Sequence, residues 1–241
     1  MQAAPTWSAV ASAPSRSRPW STYILMLAVI GVMMFEVLIF YQNLDLAGFQ
    51  HSFGLVSADF SWTDPQSWVT LLTYNFLHSG GRHFAGNALV MLFAGVAVEK
   101  YVGWRSVGFI WLAGGVAGGL AHLFVVPDSA RALVGASGAI SALLGAAIVI
   151  GWRWALPVKL WRGRRTLFHI RLPVVTGIWV AFQLSGVVLL YNGSIANPTV
   201  ATWVHVAGFA FGALVAGAIT LRRNLVPGPD AVLIPSPSSG D

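Results

Sequence analysis

The chain has 241 residues, of which 56% are hydrophobic and only 9% are charged, and its mean hydropathy is +0.70. Because a soluble domain carries about 25% charged residues, this composition excludes a soluble globular protein and indicates a polytopic membrane protein. The chain has no cysteine, which excludes a disulfide framework and a thiolate metal site.

Two tails flank the apolar part of the chain. Residues 1–20 are rich in Ala, Ser and Pro and predict a disordered cytoplasmic tail; residues 224–241, rich in Pro, Ser and Gly, predict a second one. The first tail is not a predicted signal peptide, because no small-residue cleavage site follows the first apolar run. Residues 21–223 are predicted to form one membrane domain.

Six apolar runs of about 20 residues lie between the tails, and they do not alternate as strands do. They predict an all-α bundle of six transmembrane helices near residues 23–41, 83–101, 106–126, 137–154, 172–191 and 200–221. The loop 42–82 is too long for a simple connector, and its Trp62 and Trp68 suit a membrane interface. We expect this loop to be structured and partly embedded in the membrane.

The basic residues orient the predicted bundle. With a cytoplasmic N-terminus, twelve of the 14 Lys and Arg residues fall on the cytoplasmic side, and only Arg82 and Arg131 fall outside. This distribution satisfies the positive-inside rule with both termini in the cytoplasm. The six spans come with no recognisable targeting segment, so we expect a multi-pass protein of a plasma (inner) membrane. The basic loop 153–171 is expected to meet anionic lipid rather than nucleic acid.

Four polar side chains fall at one depth in this topology. Spans two, four and six run from outside to inside, so residues near their N-terminal ends lie within roughly 10 Å of the outer boundary. The four are His83 and Asn87 on the second span, Ser137 on the fourth and His205 on the sixth. Polar side chains in a membrane usually face the bundle interior or a water-filled cavity, so we expect them to converge.

A convergent serine and histidine would support acyl transfer. His205 would take the hydroxyl proton of Ser137 and return it to the leaving amine. No acidic residue lies at this depth, which predicts a dyad rather than a triad. Ser137 at a helix start would offer its backbone N–H to an oxyanion, and His83 and Asn87, four residues apart on one helix face, would add side-chain donors.

Glycines surround this site in the sequence, and each has two interpretations. Gly135 and Gly138 would let a substrate carbonyl approach the backbone closely, although Gly-Ala-Ser-Gly is also common helix-packing sequence in membranes. Gly208 and Gly212 form a small-xxx-small face on the sixth span, which packing alone explains and which would also bring His205 close to the fourth span.

Two other ionisable residues need an interpretation. His122 lies at the same depth on the third span and is the competing base. Glu36, near the outer boundary of the first span, is expected to make a hydrogen bond within the bundle rather than to relay protons.

At these residues the chain resembles the rhomboid family of intramembrane serine proteases, over roughly residues 68–222. Five motifs occur in the family's order: Phe76-Leu77-His78, His83-x-x-x-Asn87, Gly95-x-x-x-Glu99-x-x-x-Gly103, Gly135-Ala136-Ser137-Gly138 and His205-x-x-Gly208-x-x-x-Gly212. The resemblance implies a six-helix rhomboid-like bundle in which Ser137 is the nucleophile and His205 the base. It implies that His83 and Asn87 serve the oxyanion hole and that Glu99 ties a helix and a loop together.

Two positions depart from the family pattern. Thr70 stands in the first loop where the family often has an arginine, which bears on loop stability and lipid contacts. Ser141 stands one turn after Ser137, where the family often has an aromatic ring that stacks on the base. The imidazole of His205 must then be held in another way.

The predicted function is therefore that of a serine endopeptidase that cleaves membrane-anchored proteins near the outer leaflet. Its partners would be transmembrane protein substrates and membrane lipid, with no metal, cofactor or nucleic acid. Substrates would enter between spans two and five, with Trp179 and Phe182 as gate elements. Two alternatives stay open: an inactive rhomboid-like protein that binds membrane clients, and a permease that uses histidines. The complete Ser/His/Asn set argues against the first, and the scarcity of acidic residues in the spans argues against the second.

Overall fold

The computed structural model describes residues 18–151, 155–159, 166–171, 174, 176–181 and 202–225. Both predicted tails fall mainly outside these residues. The elements in chain order are α1 (Trp20–Tyr41), α2 (Leu46–Phe53), a 3-10 turn (Ser57–Asp59), α3 (Pro65–Thr73), α4 (Gly81–Val102), α5 (Trp104–Val125), α6 (Ser137–Gly151), β1 (Ala155–Lys159), β2 (Thr166–Arg171), α7 (176–181) and α8 (Thr202–Leu225).

Four helices are long and apolar enough to cross a membrane: α1, α4, α5 and the Thr202–Arg222 part of α8. The prediction of a helical membrane protein is confirmed. The predicted fourth span begins at Ser137 as expected, and α6 is described over 15 residues, as far as Gly151. The predicted fifth span, 172–191, is described only at 174 and 176–181, where the chain is helical. The count of six spans stays a prediction.

α6 is the central helix of the bundle. Residues 138–147 are all buried, and α4, α5 and α8 pack around them. The 15 described residues of this helix extend about 22 Å. Its first residue, Ser137, is half-buried.

Glycine contacts bring α8 unusually close to α6. A Cβ on Gly208 would collide with the carbonyl oxygen of Gly138, and one on Gly212 would collide with that of Ala142. Gly145 on α6 faces the backbone of Phe209 in the same way. Small residues permit such backbone-to-backbone packing within membranes, so the small-xxx-small face of α8 lies against α6.

The loop 42–82 is structured. Asp45 caps α2 by accepting from the Gly48 N–H, and Asp64 caps α3 by accepting from the N–H groups of Gln66 and Ser67. Trp62 and Trp68 are about half exposed, and their rings meet edge to face at 5.6 Å between centroids. Such amphipathic rings suit an interfacial position.

Glu99 connects two transmembrane helices. Its carboxyl group, buried on α4, accepts from the backbone N–H groups of Ser21 and Thr22, both at 2.8 Å, and from the Thr22 hydroxyl at 2.7 Å. The first N–H groups of a helix have no intrahelical partner, and here a carboxyl group satisfies them. Glu99 therefore ties α4 to the start of α1, a helix that the sequence motif alone did not identify as its partner.

The described residues also contain a two-stranded antiparallel hairpin, which the prediction of a helical bundle did not include. β1 and β2 pair between α6 and α7, with Ala155 opposite Arg171 and Val158 opposite Phe168. The spans were predicted from apolar runs, and this basic stretch was therefore predicted to be a loop. β2 nevertheless alternates Thr166, Phe168 and Ile170 with other residues, and such residues favour strands.

Candidate active site

Ser137 stands at the start of α6, before the first hydrogen bond of that helix. The first hydrogen bond of the helix runs from the Ile140 N–H to the Ala136 carbonyl oxygen, at 2.9 Å. The Ser137 N–H therefore precedes the intrahelical ladder, as the first N–H groups of any helix do. A helix N-terminus also carries a partial positive charge. An anion that formed beside Ser137 would meet both features.

His205 lies in the first turn of α8 and reaches Ser137. Its Nε2 is 2.7 Å from the Ser137 Oγ, and the ring is 7% exposed. This distance is that of a hydrogen bond. An imidazole at this position can accept the hydroxyl proton if its own proton is on Nδ1. The two residues lie 68 positions apart in the sequence.

His83 and Asn87 border the same point from α4. A Cβ placed on Gly135 would lie 3.0 Å from the His83 Nε2 and 3.7 Å from the Asn87 Nδ2. Gly135 has a φ of +135°, which an L side chain rarely adopts. Its bare backbone therefore passes directly beside both side chains, two residues before Ser137. Ser137 and His205 contact each other directly, and His83 and Asn87 border the turn two residues before Ser137.

The Ser79 hydroxyl bonds the far side of the His83 ring. Its Oγ lies 3.0 Å from the His83 Nδ1. If the hydroxyl donates to Nδ1, the ring proton is on Nε2, the nitrogen that faces Gly135. The sequence motifs did not single out Ser79. Its spacing of four residues from His83, just before α4 begins, was the available signal.

Gly138 serves packing in this structure. A Cβ there would lie 2.6 Å from the Val204 Cγ1 and 3.2 Å from the Tyr74 hydroxyl oxygen. The absent side chain leaves room for Val204, the neighbour of His205, so it brings the base toward the nucleophile. The expectation that Gly138 admits a substrate carbonyl gains no support from these contacts, whereas Gly135 faces the donors.

His78 is buried next to the site and contacts Asn87. Its Nε2 lies 3.0 Å from the Asn87 Nδ2, and its ring meets that of His83 at 5.1 Å between centroids. Burial first, and then the neighbouring His83, lower the pKa of His78 to about 4. The ring is therefore neutral at pH 7 and can act as a hydrogen-bond acceptor.

Trp179 supplies an aromatic contact for the base, whereas Ser141, one turn after Ser137, contacts its own helix. The Ser141 hydroxyl donates back to the Ser137 carbonyl oxygen at 2.5 Å. Trp179 on α7 places its ring edge to face against His205, at 5.7 Å, and stacks on Phe209 at 6.0 Å with 9° between the planes. The other predicted gate residue, Phe182, lies outside the described residues.

His122 does not compete for Ser137 in this arrangement. It lies in the last turn of α5, and its buried Nε2 has no hydrogen-bond partner among the residues that the structure describes. Within the same residues, no three His, Cys, Asp or Glu side chains are grouped so that they could hold a metal ion.

Comparison with known proteins matches the Rhomboid domain family to residues 65–223. Rhomboid-related protein 3 of Homo sapiens is 31% identical over 156 residues, 63% of this chain and 36% of the relative. Rhomboid-type serine protease 2 of Emericella nidulans is 29% identical over 61% of this chain and 26% of its own length. Rhomboid protease GluP of Bacillus subtilis is 39% identical over 34% of this chain and 16% of its own. The chain spans about a third or less of these relatives.

Proposed function

Because the chain belongs to the rhomboid family, we propose that it is an intramembrane serine endopeptidase that cleaves membrane-anchored proteins near the outer leaflet. The observation that carries this proposal is the 2.7 Å distance between the His205 Nε2 and the Ser137 Oγ at the start of a buried helix. A serine that served only to pack two helices together would not require an imidazole within hydrogen-bond distance.

Acylation would begin with Ser137. Its Oγ attacks the carbonyl carbon of the scissile peptide bond while the His205 Nε2 accepts the hydroxyl proton. The carbonyl π electrons move to oxygen and form a tetrahedral oxyanion. When the intermediate collapses, the C–N bond breaks and His205 delivers its proton to the leaving amine. The N-terminal part of the substrate remains as an ester on Ser137.

Three donors would stabilise the oxyanion: the Ser137 backbone N–H, the His83 Nε2–H and the Asn87 side-chain amide. The last two border Gly135 from one face of α4. Donors fixed before the reaction need no reorganisation, and loss of one oxyanion donor typically lowers kcat by about 10²–10³-fold. Gly135, with no side chain, would leave space between them for the substrate carbonyl.

Deacylation would reverse the roles with water. His205 takes a proton from a water molecule, whose oxygen attacks the ester carbon, and the proton then returns to the Ser137 Oγ. The products are a carboxylic acid and the free serine. Water must therefore reach the start of α6, and α4 supports such access because His83 and Asn87 are only half-buried.

The proposal includes the membrane arrangement. We infer six spans, namely the four long helices, α6 and the segment around α7. The protein would span a plasma (inner) membrane, with both termini in the cytoplasm. The partners would be transmembrane protein substrates and membrane lipid. In this topology the N-terminal ends of α4, α6 and α8 face outward, toward the side from which water enters.

A fluorophosphonate probe tests the nucleophile directly. The detergent-solubilised protein is expected to become labelled, and Ser137→Ala is expected to abolish labelling because it removes the attacking oxygen. Ser52→Ala is the matched control, since Ser52 is exposed on α2 and should leave labelling unchanged. Labelling that persisted in Ser137→Ala would refute the assignment.

Cleavage of a reporter with a single transmembrane span tests the reaction. The wild-type protein is expected to cut it, and Ser137→Ala and His205→Ala are expected to be inactive at unchanged expression. A wild-type protein that bound the reporter without cutting it would instead identify a client-binding member of the family.

A further inference from the structure

A chain of buried and half-buried polar groups joins α1 to the Asn87 amide. Glu36 lies in α1, 3% exposed, and its carboxyl oxygens accept from the Gln50 Nε2 at 2.8 Å and from the His78 backbone N–H at 3.0 Å. The Gln50 amide also donates to the His78 carbonyl oxygen at 3.1 Å. The His78 ring then meets the Asn87 Nδ2 at 3.0 Å.

This chain holds His78 at three points. Its backbone N–H and carbonyl are fixed by Glu36 and Gln50, and its Nε2 bonds Asn87. His78 itself is 1% exposed, so its ring has little freedom to turn. Its Nδ1 is buried without a hydrogen-bond partner among the described residues, so loss of any of the three contacts would leave a further polar atom of this buried residue unpaired.

The contact with His78 determines which way the Asn87 amide faces. An amide nitrogen only donates, so the His78 Nε2 must accept. One N–H of Asn87 is then directed to His78, and the Nδ2 also lies toward Gly135. Rotation of the amide by 180° would place its oxygen at the oxyanion position, where it would repel negative charge. A neutral His78 ring that accepts at Nε2 disfavours this rotation.

We propose that Glu36, with Gln50, is a positioning residue for the oxyanion donor Asn87 and acts through His78. This inference rests on the proposed function, since it assumes that Asn87 contacts the oxyanion. Glu36 and Gln50 lie outside the residues 65–223 that match the family. The first helix would thus take part in catalysis, beyond its place in the bundle.

Kinetics with a fluorogenic single-span substrate test the proposal. Glu36→Leu removes both acceptors and is expected to lower kcat about tenfold with little change in KM. This loss is smaller than the roughly 10²–10³-fold loss of kcat that removal of an oxyanion donor causes, because Asn87 would be misplaced and not removed. Glu36→Gln keeps an acceptor oxygen and is expected to recover most of the rate. Gln50→Leu probes the same connection if Glu36→Leu does not fold.

A double-mutant cycle separates positioning from a structural role. If Glu36 acts through Asn87, Glu36→Leu is expected to have no further effect on kcat in an Asn87→Ala background, because there is no amide left to orient. Thr22→Val is the matched control: it also removes a buried hydrogen bond of α1, but at the other end of that helix. Thr22→Val should lower the melting temperature, and its effect on kcat should be the same with and without Asn87→Ala.

Each outcome bears on a distinct claim. An equal loss of kcat from Glu36→Leu with and without Asn87 would overturn the positioning role while leaving the protease intact. A wild-type kcat in a folded Glu36→Leu variant would overturn it too. Absence of cleavage by the wild-type protein would overturn the proposed function, and the inference with it.

Discussion

The position of Ser137 is set mainly by the backbone around it. Ser137 comes two residues after Gly135, which has a positive φ, and it precedes the first intrahelical hydrogen bond of α6. The N–H of Gly135 is itself fixed by the Tyr74 carbonyl oxygen at 2.9 Å. The turn that presents Ser137 is therefore held from the loop before α4, and the serine is presented at one defined position.

Trp179 is expected to orient the His205 imidazole. The edge-to-face contact between the two rings is of a kind worth about 1 kcal/mol, which corresponds to roughly a fivefold change in rate. Trp179→Ala is expected to lower kcat for the single-span reporter five- to tenfold, with a smaller effect on KM. Trp179→Phe keeps an aromatic ring and should retain most of the activity.

Trp203 supplies the control for that substitution. It lies on α8 two positions before His205 but is 54% exposed, and Trp203→Ala should leave kcat nearly unchanged. A Trp179→Ala variant that cut faster than the wild type would favour the gate interpretation, because removing a gate admits substrate more readily.

At the scale of elements, the contact between α6 and α8 assembles the dyad. Ser137 and His205 belong to different helices, and their distance depends on how closely those helices approach. Val204 fits into the space left by Gly138, and the backbone of α8 lies against Gly138 and Ala142. Glycines on both helices thereby determine the distance between Ser137 and His205.

Two alanine substitutions on α8 test this dependence. Gly212→Ala places a Cβ into the backbone of Ala142, so it is expected to destabilise the protein by about 3 kcal/mol and to abolish cleavage. Gly217→Ala has no neighbouring atom within 4 Å and is expected to be neutral or to stabilise by up to about 1 kcal/mol. Thermal unfolding in detergent and reporter cleavage measure both effects. Equal behaviour of the two variants would contradict close packing as the cause.

At the scale of the whole molecule, α1 is attached at both ends by carboxyl groups. Glu99 of α4 binds the first turn of α1, and Glu36 of α1 binds the loop that precedes α4. Between these two points, α1 exposes large apolar side chains, among them Leu27 and Met34. Lipid would cover those side chains, so the buried polar contacts fix where α1 docks.

The absence of native cysteines makes the membrane arrangement directly measurable. In intact cells, a membrane-impermeant maleimide is expected to label Thr63→Cys, which is exposed in the loop before α3, and to label Ser236→Cys only after permeabilisation. The reason is the positive-inside distribution, which predicts that the C-terminal tail lies in the cytoplasm. Labelling of Ser236→Cys in intact cells would mean an odd number of spans or the opposite orientation.

The sequence by itself determined the environment, the helical class and the family, because apolar length, charge placement and motif spacing are local or additive properties. It also selected Ser137, His205, His83 and Asn87, since a shared topology places equivalent helix ends at one depth. The hairpin of β1 and β2 was missed because charge masked its alternation. Contacts between distant segments depended on packing: Trp179 on His205, Glu99 on α1, and the path from Glu36 through His78 to Asn87. The sequence around each of these residues does not indicate which distant residue it contacts, so only the tertiary structure could determine these contacts.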